Sequence, residues 1–317
     1  MRILITGGAG FLGQRLAIAL LSKHFQEIES MTLLDRVLPA ELSNEENSKL
    51  FIFRGNLTDQ EMIDRLVKVQ PTHIFHLAAV VSGEAEKDFD LGMQVNLGAT
   101  QALLEACRQL ENPPMFVMTS SVAVFGGEMP DVIADDTAPT PQSSYGTQKA
   151  ICELLVNDFS RRGFVDGRVL RLPTIVVRPG KPNAATSSFA SGIIREPLNG
   201  ERAICPVSPD TALWLMSPRK AIESMLHLMN LKADQLGGNR TISLPGLTVS
   251  VQAMADSLRY IAGNEVADRI DWLPDPFIQQ IVGSWPAKFE PTRAEALGFT
   301  ADETFDELVR GYIEDEL

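Results

Sequence analysis

Little in this chain would hold a metal or a disulfide framework. Its 3 cysteines, Cys107, Cys152 and Cys205, stand far apart without Cys-x-x-Cys or other metal-ligand spacing, and they read as reduced thiols. The 4 histidines do not pair at helical spacing, so a zinc site has no support and no metal is expected. Positive charge is in short supply. With 28 Lys and Arg against 41 Asp and Glu, the formal net charge is −13, which argues against nucleic acid or an anionic membrane as a partner. No apolar run is long enough to span a bilayer, and no basic-then-apolar leader is visible, so the expected location is cytoplasmic. Tyrosine is scarce too: the only ones are Tyr145, Tyr260 and Tyr312.

The 317 residues are 44% hydrophobic and 22% charged, enough for one large domain or one domain with a smaller lobe. Up to about residue 175, short apolar runs alternate with amphipathic stretches, the pattern of a parallel sheet covered by helices. Strands are expected at Arg2–Thr6, Met31–Leu34, Leu50–Phe53, His73–Leu77, Met115–Thr119 and Val169–Leu172. Helices are expected at Phe11–Ser22, Gln60–Val69, Phe89–Leu110 and Ser144–Arg162. The spacing therefore predicts an α/β, doubly wound nucleotide-binding domain over 1–175. After Pro173 the texture changes through the turn-rich Arg178-Pro179-Gly180-Lys181-Pro182-Asn183. Residues 176–317 are expected to form mostly a substrate-binding lobe, with elements that return to the sheet. Helices are predicted there at Val251–Ile261 and Phe305–Ile313, the last preceded by Thr300 and Glu303 at capping-box spacing.

Two segments carry chemistry. Gly7, Gly10 and Gly13 lie three apart between the first strand and the first helix, in Gly7-Gly8-Ala9-Gly10-Phe11-Leu12-Gly13. The first glycine permits a tight turn, the second lets backbone approach a pyrophosphate, and the third allows close helix–strand packing. The helix then presents free N–H groups and its positive dipole end to the anion. Asp35 ends the second strand, where a carboxylate accepts from an adenosine ribose and repels a 2′-phosphate, favouring NAD over NADP; Arg36 beside it leaves NADP a weaker alternative. Asn56 and Leu57 after the third strand, and Leu77, Ala78 and Ala79 at the fourth, fall at strand ends that line the cofactor crevice in this architecture.

The second segment is Tyr145-Gly146-Thr147-Gln148-Lys149, preceded by Thr119-Ser120-Ser121. Tyr145 and Lys149 are four apart, on one helix face. A free phenol titrates near about 10, and a neighbouring ammonium with an oxidised nicotinamide would favour the phenolate. Ser121 is placed to hold a substrate oxygen while Tyr145 takes its proton. His76, in an apolar strand, reads as a satisfied core histidine.

These residues resemble the extended short-chain dehydrogenase/reductase family, through the glycine turn, His76-Leu77-Ala78-Ala79, Thr119-Ser120-Ser121 and Tyr145-x-x-x-Lys149. The resemblance implies a Rossmann NAD domain with Ser121, Tyr145 and Lys149 as the catalytic set and Asn96 supporting it. It implies cofactor contacts from Gly7, Gly10, Phe11, Leu12 and Gly13, from Asp35, Asn56 and Leu57, and from Leu77, Ala78 and Ala79. Ser120, Tyr145, Lys149 and Pro173 complete that set. Within the family, Arg171–Asn183 and Ser284-Trp285-Pro286-Ala287-Lys288-Phe289 are similar to the D-erythronate dehydrogenases. That likeness implies oxidation of the C2 hydroxyl of D-erythronate, or a related small sugar acid, to 2-dehydro-D-erythronate with NAD. Asn56 replaces the family's common aspartate, and Phe125 a common tyrosine. For the acid and its hydroxyls the candidates are Ser121, Tyr145, Arg178, Lys181, Asn183, Ser187 and Arg219, with Arg195 and Ser188 nearby in sequence. The family's habit of pairing through two long helices implies a homodimer. A nucleotide-sugar epimerase or dehydratase shares the same triad and is the alternative enzyme; a dinucleotide-sensing regulator would have little need of Ser121, Tyr145 and Lys149 together.

Overall fold

A computed structural model describes residues 1–40, 42, 47–181 and 185–317. The chain runs β1 (Arg2–Thr6), α1 (Phe11–Lys23), β2 (Ser30–Asp35), β3 (Leu50–Arg54), α2 (Gln60–Lys68), β4 (His73–His76), α3 (Ser82–Lys87) and α4 (Phe89–Gly92). A π-helical turn, Met93–Gly98, leads into α5 (Ala99–Cys107), then β5 (Met115–Ser121), β6 (Ile133–Ala134), α6 (Ser144–Arg161) and β7 (Asp166–Leu172). Beyond these lie β8 (Thr174–Ile175), α7 (Ser188–Leu198), β9 (Ala203–Cys205), β10 (Ala212–Met216), α8 (Pro218–Asn230), β11 (Thr241–Ser243) and β12 (Leu247–Ser250). The chain ends through α9 (Val251–Ala262), α10 (Asn264–Ala267), β13 (Ile270–Trp272), α11 (Pro276–Gly283), β14 (Phe289–Glu290), α12 (Thr292–Ala296) and α13 (Phe305–Glu316).

Seven strands form one parallel sheet in the order β11-β7-β5-β4-β1-β2-β3. Parallel strands are covered on both faces, which is why they read as continuous apolar runs. In β1 the pleat splits that run: Ile3 and Ile5 join the core under α1 and α8, with Leu16, Leu20 and Met225, whereas Leu4 joins Ile74, Phe116, Leu103 and Val156 under α2, α5 and α6. Chain order reverses between β1 and β4, so the crevice opens at the C-terminal ends of those strands. A separate core, including Ile193, Leu213, Met254, Leu258 and Leu308, holds α7, α9 and α13 with β9, β10 and β13. Not every residue after 175 belongs to it: β11 pairs with β7, Thr241 opposite Val169, and α8 packs on the sheet's first face. Among the described residues, no helix is long and apolar enough to cross a membrane.

Two sequence expectations need correction, and one element was missed. The helix predicted over Phe89–Leu110 is α4, a π-helical turn that contains Asn96, and α5. The predicted capping box is displaced. Thr300 Oγ1 accepts from Lys220 Nζ at 3.3 Å, α13 is preceded by Thr304, and Glu307 accepts from the Glu303 N–H at 3.0 Å. Helix α8 was not anticipated, although Ser217 caps it by accepting from Lys220 N–H at 3.0 Å with Pro218 as its first residue.

Candidate active site

The glycine turn is shaped by what a side chain would meet. Gly7 sits at φ +73°, and a Cβ there would lie 2.7 Å from the Ala78 backbone nitrogen; at Gly13 it would lie 2.2 Å from the Gly7 carbonyl oxygen. The first residue of the turn is thus pressed against the end of β4, and α1 against the turn itself. Gly10 precedes α1 with no side-chain cap, and no acidic residue stands in the first turn. The leading N–H groups of Phe11, Leu12 and Gly13 keep their positive end for a ligand. This cradle fits a dinucleotide pyrophosphate.

Asp35 ends β2 and accepts from the Ala9 N–H at 3.1 Å and the Arg36 N–H at 2.7 Å. One carboxylate therefore ties the turn to the place where a ribose would lie. Asn56 is exposed, its Oδ1 accepting from Thr58 N–H at 3.2 Å, and Leu57 is buried at 5% exposure in the core beneath. Leu77, Ala78 and Ala79 are partly exposed at the end of β4.

Asn96 acts on backbone. Its Oδ1 accepts from Val80 N–H at 2.7 Å, and its Nδ2 donates to Val80 O at 3.1 Å and Gln148 Oε1 at 2.8 Å. It thereby fixes the chain that follows Leu77–Ala79 and joins it to α6. His76 lies behind this network. Thr100 donates to Asn96 O at 2.6 Å, so it accepts from His76 Nε2 at 2.8 Å, and His76 Nδ1 accepts from Thr6 at 2.7 Å. Burial pushes that imidazole down to about 3, with the Lys149 ammonium adding to the effect. It is a neutral, satisfied core histidine.

Ser121 ends β5 with its Oγ accepting from Ala123 N–H at 3.1 Å, which leaves its hydrogen to give. Helix α6 approaches closely here because of Gly146: a Cβ would sit 2.2 Å from the Ala123 carbonyl. The helix is capped by Ser143, which accepts from Gly146 N–H at 3.1 Å. Tyr145 is half-buried, and Lys149 is 3% exposed with Nζ donating to Thr119 O at 2.9 Å and lying 5.8 Å from the Tyr145 ring centre. Burial pushes the phenol up to about 12, and the cation that pulls it back is Arg178. Lys149 is itself lowered by burial, offset by Cys152 and Glu153.

Arg178 is the predicted basic residue that the fold brings to the tyrosine. Its N–H donates to Ser191 Oγ at 3.0 Å, its carbonyl accepts from Arg195 at 2.8 Å, and its Nη2 reaches Ser187 Oγ at 3.4 Å. Among the described residues no carboxylate pairs with it. Arg195 is committed to Glu196 at 2.5 Å; burial lowers Arg178, and the like charge of Arg195 lowers it further. The other candidates are not drawn in. Lys181 is exposed, and Asn183 lies outside the described residues. Arg219, proposed for the substrate, is instead engaged by two carboxylates of α13, Glu314 at 2.9 Å and Asp315 at 2.5 Å. Pro173 is buried between β7 and β8. Ser120, expected at the cofactor, donates its hydroxyl to Glu153 at 2.6 Å. Glu153 also takes a two-pronged grip from Arg171, at 2.9 and 2.6 Å. Sequence reading missed this pair, although Glu153 falls four residues past Lys149 on the same face.

The pattern of the NAD dependent epimerase/dehydratase family matches residues 3–214. The chain is 54% identical over 322 aligned residues to a D-erythronate dehydrogenase of Cupriavidus necator, covering 99% of this chain and 98% of that one. It is 47% identical to a D-erythronate dehydrogenase of Haemophilus influenzae, covering 99% of each. A solved structure described as the nucleoside-diphosphate-sugar epimerase from Agrobacterium tumefaciens superimposes with a TM-score of 0.93 at 41% identity, over 100% of this chain and 94% of that one.

Proposed function

The chain belongs to the NAD dependent epimerase/dehydratase family and is an oxidoreductase that uses a nicotinamide cofactor; from that premise we propose that it oxidises the C2 hydroxyl of D-erythronate, or a near relative among small sugar acids, with NAD. Residues 1–175 supply most of the cofactor site and 176–317 most of the substrate lobe. When bound, the nicotinamide supplies the acceptor for the hydride leaving the carbinol carbon. The protein's own part is proton transfer and orientation. Ser121 gives its free hydrogen to the substrate oxygen, Tyr145 takes the hydroxyl proton, and Lys149, anchored on Thr119, lends positive charge beside it. The observation that carries the choice of a sugar acid is Arg178, a cation without a carboxylate partner among the described residues, close enough to Tyr145 to act on its phenol. Its fork suits a carboxylate.

Incubation with NAD and D-erythronate should raise absorbance at the NADH band. If no C3–C6 aldonic acid yields NADH and the protein keeps its cofactor through purification, the epimerase alternative takes its place. Asp35 tests the cofactor preference. Asp35→Ala should weaken NAD binding by about ten-fold and NADP much less, because it removes the ribose acceptor together with the repulsion of a 2′-phosphate. Equal weakening of both, measured by fluorescence titration, would mean that Asp35 acts only through its bond to Ala9.

A further inference from the structure

Two consecutive residues at the end of β5, Thr119 and Ser120, are fastened to one stripe of α6, and Ser121 follows them. Thr119 accepts from Lys149 at 2.9 Å, Ser120 donates to Glu153 at 2.6 Å, and Ser121 accepts from the N–H of Ala123, the residue against which Gly146 packs. Tyr145, Lys149 and Glu153 stand at i, i+4 and i+8, hence on one face of the helix. Arg171 approaches from β7, where it is the register partner of Ser120. Its guanidinium holds both oxygens of Glu153, at 2.9 and 2.6 Å, and lies 4.9 Å from the Phe125 ring centre. Glu153 is 3% exposed and Arg171 8%. Burying such a pair is costly, and an apolar pair of similar volume would often serve stability as well. Its place one turn from Lys149 gives it another use.

We propose that Glu153, held by Arg171 and Ser120, is a positioning residue for the proton-transfer set: it fixes the end of β5 beneath Ser121 and supplies the negative charge that keeps the buried Lys149 an ammonium. The inference rests on the proposed dehydrogenase reading. The groups facing Lys149 are Tyr145, Cys152 and Glu153 from α6, His76 from β4 and the carbonyl of Thr119 from β5. His76 is neutral, and burial holds the Cys152 thiol up and protonated, so Glu153 is the anion of the group. Burial lowers Lys149, and Cys152 and then Glu153 raise it; with the Cys152 thiol protonated, the carboxylate is the standing charge. Removing the carboxylate therefore makes Lys149 lose its proton at lower pH, and activity that needs the ammonium falls at lower pH.

The test compares Glu153→Gln, Arg171→Met and the double variant, measuring kcat against pH and thermal midpoint. Both single variants break the same buried pair, and both should melt at lower temperature than the parent. Glu153→Gln should move the alkaline fall in kcat down by about one pH unit or more, whereas Arg171→Met, which keeps the carboxylate, should not move it down. The double variant should recover much of the melting temperature and retain the displaced limb. If Glu153→Gln does not fold, the contrast between Arg171→Met and the double variant carries the same information. Limbs displaced equally in both single variants, or restored in the double variant, would show a role in stability only and overturn the proposal. A parent enzyme that makes no NADH from any aldonic acid would instead undo the dehydrogenase reading, before the variants are compared.

Discussion

Tyr145→Phe should lower turnover by about 10²–10⁴-fold, the usual worth of a positioned acid–base group, with NAD affinity nearly unchanged. The substitution deletes only the phenolic oxygen and leaves a ring of the same shape capping the first turn of α6. The glycine turn, Asp35 and Lys149 all remain. Stopped-flow reduction of NAD together with a binding titration separates the two quantities, and unchanged turnover would remove Tyr145 as the base. The pH dependence follows from the same group. In the protein alone burial holds the phenol up to about 12, so it is protonated at neutral pH. The substrate must then be oxidised faster as pH rises toward that value, until Lys149 begins to lose its proton. Positive charge brought next to the phenol shifts the rise downward. In Tyr145→Phe the rising limb should disappear.

How much of this site was readable before the fold was known depended on whether a residue's job is local. Gly7, Gly10 and Gly13 act within one turn, and Tyr145 and Lys149 within one turn of helix, so their spacing carries the message. Asp35 ends an apolar run, and strand ends meet at the crevice in any doubly wound sheet. The Glu153–Arg171 pair was not readable, because it joins α6 to β7 and depends on a register that places Arg171 beside Ser120. Arg178, Lys181 and Arg219 looked alike as sequence. Only packing separates them: α13 brings Glu314 and Asp315 to Arg219, while α7 brings Ser187, Ser191 and Arg195 to Arg178. The π turn at Met93–Gly98 was hidden for a related reason. One extra residue in a helix leaves apolar periodicity almost intact, and Asn96, bonded to Val80, lies within that turn. Helix α8 was the avoidable omission, since Ser217-Pro218 followed by apolar residues at Ala221, Ile222, Met225 and Leu226 has both a start signal and a helical face.

Arg178 carries the second large effect, because two consequences meet on one guanidinium. In the proposed reaction it seats the substrate carboxylate; as the cation beside Tyr145 it favours the phenolate. Arg178→Met should raise KM for the sugar acid by about 30-fold or more, in line with the ~2–5 kcal/mol lost when one member of a buried charge pair is truncated. It should also move the rising limb of kcat to higher pH, since burial then acts on the phenol without opposition. Arg178→Lys separates the two. A lysine keeps the charge and loses the fork, so the pH profile should return toward that of the parent while KM stays high. Binding of NAD, which depends on residues far along the crevice, should be the same in both variants. A KM unchanged in Arg178→Met, with the limb displaced, would leave Arg178 its electrostatic part and move the carboxylate elsewhere in the lobe. With neither changed, the guanidinium would lie outside the site altogether, and the small-acid reading would lose the observation on which it stands.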